Sequence, residues 1–221
     1  MIGKEAQAEF LLEAMPYIEK YQNKILVVKY GGNAMTDDTL KKLVMRDMTL
    51  LQFVGIKVVL VHGGGPEISQ TLKRMGIESR FVGGLRYTDA ETAEVVRMVL
   101  AGKVNKELVH MLGSLGAKAV GLSGIDGKLL QCSKESEELG FVGKIENVNT
   151  DLILSSLNAG YLPVVSTVGY DDEGNIYNVN ADTAASALAG ALKAESLILM
   201  TGVRGLLQKA GDADSLIKKV Y

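Results

Sequence analysis

The chain has 221 residues, 47% of them apolar and 23% charged, with a net charge of −2 and no basic block. That balance is ordinary for a globular protein and offers nothing to a nucleic-acid backbone, and no apolar run is long enough to cross a membrane. A single cysteine, Cys132, excludes an intrachain disulfide, and with no signal-like apolar core near the N-terminus it points to a reducing, cytoplasmic compartment.

Residues 4–21 place Leu11, Met15 and Ile18 on one helical face, with Pro16 inside the pattern expected to kink or divide the helix. The apolar face needs cover, from its own domain or from another subunit. ILVVK, residues 25–29, is the first buried strand, and Thr36 or Asp37 can cap a helix to Phe53 with Leu40, Leu43, Val44, Met48 and Leu51 inward. The strand IKVVLV ends in HGGGP, whose Pro66 suits the first turn of a helix. FVGGLRYTD is an extended or hairpin element. From Asp89 one long helix is predicted to Gly113 or Gly116. AKAVGL is a strand, KLLQCSKE and FVGKIENV a β excursion, and residues 150–158 a helix. YLPVVSTVG, a hairpin with Asp172, Glu173 and Gly174 at its tip, the small-residue helix ADTAASALAGALKA and the strand SLILMTGV complete the order. Continuous apolar strands alternating with helices predict an α/β fold, a three-layer α/β/α sandwich around one mainly parallel sheet.

Ligands of such sheets bind beyond the carboxyl ends of the strands. Those ends read KYGGN, HGGGP, GLSGIDG, STVGYDDEG and MTGVRG. Closely spaced glycines beside helix N-termini suit phosphate oxygens, because backbone N–H groups stand free of side chains. Neither leading loop is a P-loop, whose lysine follows its glycines, and neither is GxGxxG. Lys29 before Gly31-Gly32 suggests phosphoryl transfer by positioning and charge neutralisation, although a hydrated lysine on a turn fits the same residues. In YNVNADTAA an extended backbone would put Asn178, Asn180 and Asp182 on one face; Asp182 either caps the next helix or holds catalytic cations. Arg86 suits bidentate recognition of a substrate carboxylate, or is simply a surface arginine. His62 has no orienting acid beside it and reads as structural. With one cysteine and two distant histidines, no dedicated metal site is expected, and Mg²⁺ would arrive with nucleotide phosphates.

From Lys24 to Tyr221, through KYGGNAM, VLVHGGGPEIS, GGLRYTD, MVLAGKVNKELV, YLPVVSTVG and YNVNADTAA, the sequence resembles the amino-acid kinase family, on its N-acetylglutamate-phosphorylating branch. The resemblance implies ATP-dependent phosphorylation of the γ-carboxylate of N-acetyl-L-glutamate in arginine biosynthesis. A related carboxylate kinase acting on a modified aminoadipate, or a non-catalytic arginine-sensing assembly subunit, are the alternatives. By position it makes Lys29 and Asp182 catalytic. Gly64, Gly65, Arg86 and Asn178 would bind the acceptor, and Gly31, Gly32, Thr201, Gly202, Val203, Arg204 and Gly205 the nucleotide. It divides the chain into an N-terminal oligomerisation helix (1–23), an acceptor-binding half (24–180) and the start of an ATP-binding half (181–221). In arginine-inhibited members the N-terminal helix joins dimers into a hexamer, and some members bind a PII-type regulator; these partners follow by analogy. Three features depart from the pattern. Members continue past the equivalent of Tyr221 through a loop with a second catalytic lysine, Gly202 stands where aspartate is common, and Ile125 where lysine is.

Overall fold

Val58, Val59, Leu60 and Val61 are all buried, which explains why the second predicted strand shows no polar alternation: both of its faces are covered. The computed structural model describes residues 3–201, 205–209 and 212–219. Its chain order is α1 (Lys4–Tyr21), β1 (Ile25–Tyr30), α2 (Asp38–Phe53), β2 (Lys57–His62) and α3 (Gly65–Arg74), then the hairpin β3 (Phe81–Val82) and β4 (Leu85–Arg86). α4 (Ala90–Arg97) passes through a π-helical stretch (Met98–Val104) into α5 (Asn105–Ser114). β5 (Ala119–Ser123), the pair β6 (Leu130–Lys134) and β7 (Gly143–Val148), and α6 (Asp151–Asn158) come next. β8 (Leu162–Ser166), the hairpin β9 (Val168–Tyr170) and β10 (Ile176–Asn178), α7 (Ala181–Ala191) and β11 (Ser196–Leu199) complete it.

The central sheet is parallel throughout, in the order β11-β1-β2-β8-β5. Side chains alternate across it, so one strand feeds two cores. Leu26, Val28, Val58, Leu60 and Val164 pack beneath α2 to α5, against Val44, Met48, Leu72 and Leu108. Val27, Val59, Val61 and Val165 pack on the other side, against Ile153 and Leu157 of α6 and Ala184, Ala185 and Leu188 of α7. The alanines of α7 let its backbone approach the sheet closely. Helices on both faces give the expected α/β/α layers.

Several local expectations are corrected. Beside the central sheet, β10-β9-β6-β7 form a second sheet and β3-β4 a third. Pro16 does not divide α1. Asp37 caps α2, accepting from the N–H groups of Thr39 and Leu40, but Leu40 and Leu43 are 43% and 46% exposed. The buried face is centred on Val44, Met45 and Met48 instead. The predicted long helix is interrupted for seven residues by π-helical turns, which widen the coil and rotate α5 relative to α4. Among the described residues, no helix is long and apolar enough to cross a membrane.

Candidate active site

Lys29 shares the parity of Val27, so its side chain emerges from β1 toward the α7 side of the sheet. It is 8% exposed, and its Nζ lies 3.1 Å from Asp182 Oδ1. Asp182 is free for this pairing because Asn180, not Asp182, caps α7: Asn180 Oδ1 accepts from the N–H groups of Asp182 and Thr183, both at 3.0 Å. The expected shared extended face of Asn178, Asn180 and Asp182 is therefore corrected. β10 ends at Asn178, and Asp182 stands in the first turn of a helix. The lysine folds back over its own loop. A Cβ on Gly31 would fall 2.9 Å from Lys29 Nζ, so the bare backbone is what lets the ammonium lie there. Gly32 comes next with φ 68°, a left-handed conformation that glycine adopts without penalty.

The second loop runs beside α7, where a Cβ on Gly63 would stand 3.3 Å from Ala181 Cβ. Its three carbonyls are all held. Gly63 O accepts from His62 Nδ1–H at 2.8 Å, Gly64 O from the Ile68 N–H at 2.9 Å, and Gly65 O from Arg86 Nη2 at 3.0 Å. A carbonyl can only accept, so Nδ1 of His62 carries the proton. With each carbonyl turned to an internal donor, the loop presents N–H groups at the start of α3, where no intrahelical acceptor exists. Gly64 makes a close approach: a Cβ there would sit 2.6 Å from Leu100 Cδ2, so a larger residue must displace that side chain. Gly64→Ala is expected to cost about 1–3 kcal/mol of stability through overpacking. Leu100→Ala in the same chain should restore part of that loss, which denaturant titration of both variants would measure.

Arg86 returns toward this loop because Gly83 and Gly84, at φ 58° and 84°, close a two-residue hairpin that few other pairs could form. Its Nη1 donates to Ser79 Oγ at 2.8 Å and its Nη2 to Ser69 Oγ at 2.8 Å, and the guanidinium lies 4.8 Å from the Phe81 ring centroid. Arg86 is 7% exposed, and burial pulls its pKa below the ordinary arginine value. Among the described residues it has no ion-pair partner, since the seven ion pairs present all use lysines. A buried guanidinium without a carboxylate is costly unless an anion completes it. The arginine lines a cavity of about 170 Å³ together with Gly64, Gly65, Leu100, Asn178 and Asn180. Asn178 Nδ2 donates to Thr88 Oγ1 at 3.2 Å, and that hydroxyl donates to Arg86 O at 2.9 Å, so the two polar walls are linked.

His62 has the opposite parity to Lys29 and points into the α2–α5 core, fully buried. Burial lowers its pKa from 6.5 to about 4, helped by the Lys106 ammonium and opposed by the hydrogen bond to Gly63. The unfolded chain therefore binds a proton that the folded chain refuses between those two values. Stability is complete above about pH 6.5 and falls by about 3 kcal/mol as pH drops toward 4. Comparing urea unfolding of wild type and His62→Gln across that window should show a steeper decline in wild type.

Of the expected nucleotide residues, Thr201 lies just beyond β11, whose end is tied to β1 by Met200 N–H donating to Lys29 O at 3.0 Å. Gly205 is exposed with φ 152°, and Gly202, Val203 and Arg204 lie outside the described residues. Sequence reasoning missed Ser69 and Ser79, which hold the guanidinium from two different elements, and Leu100, which reaches the loop only through the π-helical turn. Among the described residues no cluster of three or more His, Cys, Asp or Glu could hold a metal ion, and Asp182 is engaged by Lys29. The donors gathered here fit phosphate and carboxylate oxygens rather than a bare cation.

Comparison with known proteins agrees with that chemistry. The amino acid kinase family model matches residues 24–221. The acetylglutamate kinase of Caldanaerobacter subterraneus subsp. tengcongensis is 55% identical over 216 residues, covering 97% of this chain and 72% of the relative. That of Clostridioides difficile is 55% identical over 215 residues, covering 97% and 75%. Among solved structures, N-acetylglutamate synthase from Neisseria gonorrhoeae, complexed with coenzyme A and N-acetyl-glutamate, superposes with a TM-score of 0.78 at 25% identity, over 92% of this chain and 47% of that one. The chain thus spans about three quarters of the length of its acetylglutamate kinase relatives. On these matches it belongs to the amino acid kinase family and groups within it with the acetylglutamate kinases.

Proposed function

We propose that the chain binds N-acetyl-L-glutamate in the Arg86 cavity and transfers the γ-phosphoryl group of ATP to its side-chain carboxylate, a step in arginine biosynthesis. The observation that carries this reading is the buried Arg86, without a carboxylate partner among the described residues, in a cavity walled by a glycine loop whose carbonyls are all held back. Arg86 pairs with the α-carboxylate, and Asn178 donates to or accepts from the polar end of the acceptor. The γ-carboxylate is ionised at neutral pH and needs no base. One of its oxygens attacks the γ-phosphorus as the bond to the β-phosphate oxygen breaks, giving an acyl phosphate and ADP with no proton moved. Lys29 neutralises charge on the transferring group while N–H groups of Gly32 and Gly64 meet its oxygens. Asp182 holds the Lys29 ammonium in place. Mg²⁺ bound to the nucleotide would supply further charge neutralisation. Thr201 and Gly205, with Gly202, Val203 and Arg204 between them in sequence, would bind the nucleotide.

Isothermal calorimetry tests the acceptor assignment. N-acetyl-L-glutamate should bind, and its α-carboxamide should bind at least tenfold more weakly; equal affinity for the two would remove the basis of the assignment.

We further propose a cytoplasmic homo-oligomer joined through α1. Phe10, Leu11 and Met15 are 70%, 64% and 59% exposed on that helix, a row of apolar side chains that water alone disfavours. Arginine inhibition and a PII-type regulator are the effectors to test on that assembly. Replacing Leu11 and Met15 with glutamate should lower the particle mass in sedimentation while leaving the unfolding transition in place. An unchanged mass would assign the helix elsewhere.

A further inference from the structure

We propose that His62 and Asn105 form a positioning couple that sets the Gly63–Gly65 loop, and that the π-helical stretch exists to bring Asn105 there. This rests on the acceptor reading and deepens it. Neither residue lines the cavity, and both are buried.

Asn105 Nδ2 lies 2.8 Å from Val164 O, 3.2 Å from Leu122 O and 3.1 Å from His62 Nε2. The two carbonyls accept only, so the amide nitrogen must face them; its two hydrogens serve three acceptors, the short bond going to Val164 O and the other hydrogen being shared between Leu122 O and the ring, toward which the nitrogen can only donate. Nε2 is then an acceptor, and the ring proton belongs on Nδ1, which donates to Gly63 O. The carboxamide therefore fixes the tautomer that pins the first loop carbonyl. Its own oxygen accepts from Lys106 Nζ at 3.0 Å, which also lies 3.4 Å from Gly121 O. One buried amide ties together β5, β8 and the end of β2 and passes that frame to the loop. A histidine alone could take the Nε2–H tautomer, which has no donor for Gly63 O; the asparagine, which can only donate to Nε2, disfavours it.

Two further contacts come from the same stretch. Leu100 stands against Gly64, and Lys103 Nζ lies 2.5 Å from Glu67 Oε2 in the first turn of α3. Each residue of an α-helix turns about 100°, so removing the π-helical widening would rotate Asn105 off His62 by roughly that angle per inserted residue. The π-helical stretch therefore packs on the loop at Gly64 and pairs with the first turn of α3 at Glu67, while Asn105, immediately after it, reaches the loop through His62.

Three measurements on the intact chain decide this. A long-range proton–nitrogen spectrum of the two histidines should show His62 protonated on Nδ1 and bare on Nε2 at neutral pH. In Asn105→Ala, hydrogen exchange of the Gly64 and Gly65 amides should accelerate, and calorimetry should show N-acetyl-L-glutamate affinity lowered about tenfold. Leu108→Ala, one turn along α5 in the same core, serves as the control: its Tm should fall while its affinity stays within about twofold. An Nε2–H tautomer, unchanged loop exchange in Asn105→Ala, or an equal affinity loss in both variants would overturn the proposal. If wild type does not bind N-acetyl-L-glutamate at all, the acceptor reading fails, and the spectrum and exchange still decide the couple.

Discussion

Lys29→Ala is expected to lower turnover about 10²–10³-fold while changing N-acetyl-L-glutamate affinity by less than about threefold. The split follows from where the ammonium sits. Its partners are Asp182 at 3.1 Å and its own glycine loop, and it is not among the residues lining the Arg86 cavity. Removing it takes away a charge that matters most when negative charge is moving between phosphates, and leaves the acceptor's contacts intact. Lys29→Arg should rescue little, because the longer planar fork cannot replace a compact ammonium folded over Gly31. Gly31→Ala should produce a milder form of the same defect, since a Cβ there would displace the Lys29 terminus. Initial-rate kinetics beside calorimetry would separate the two parameters. Equal losses in turnover and affinity would place Lys29 in acceptor binding instead.

Arg86→Ala should have the opposite signature: acceptor affinity falling by about 2–4 kcal/mol, roughly 30-fold to 1,000-fold, with a smaller effect on turnover at saturation. The size reflects a buried charge-assisted pair. It also includes the cost of leaving Ser69, Ser79 and Gly65 O without their donor, so part of the loss is loop disorder. Arg86→Lys keeps the charge but loses the fork that bonds both serines, and should recover only a minor part of the affinity. Measuring Kd for the pair of variants checks this; wild-type affinity in Arg86→Ala would exclude it from the acceptor site.

These two residues were readable in the sequence for different reasons. Lys29 ends a strand whose burial on both faces leaves no polar alternation, so a cation there is conspicuous. Arg86 comes after a Gly-Gly pair that only a tight hairpin explains. Their partners were harder to read. Asn180 and Asp182 are both competent helix caps two positions apart, and tertiary placement of β10 decides between them. Leu40 and Leu43 extend the apolar stripe of α2, and periodicity does not separate core from uncovered surface. The π-helical stretch has no propensity signature: Met98 to Val104 would serve equally in an α-helix, and only its fit to the loop selects the wider turn. Asn105 did carry a signal, a polar residue at helical spacing from Leu108 and Leu112, but its three acceptors belong to strands elsewhere in the chain.

Every role assigned to Lys29, Asp182 and Arg86 depends on acyl-phosphate formation, and phosphorus NMR of the chain with Mg-ATP and N-acetyl-L-glutamate observes it directly. An acyl-phosphate resonance should grow in step with ADP and be absent in Lys29→Ala. ATP left intact under those conditions, or converted to ADP and free phosphate with no acyl phosphate, would contradict the assigned reaction.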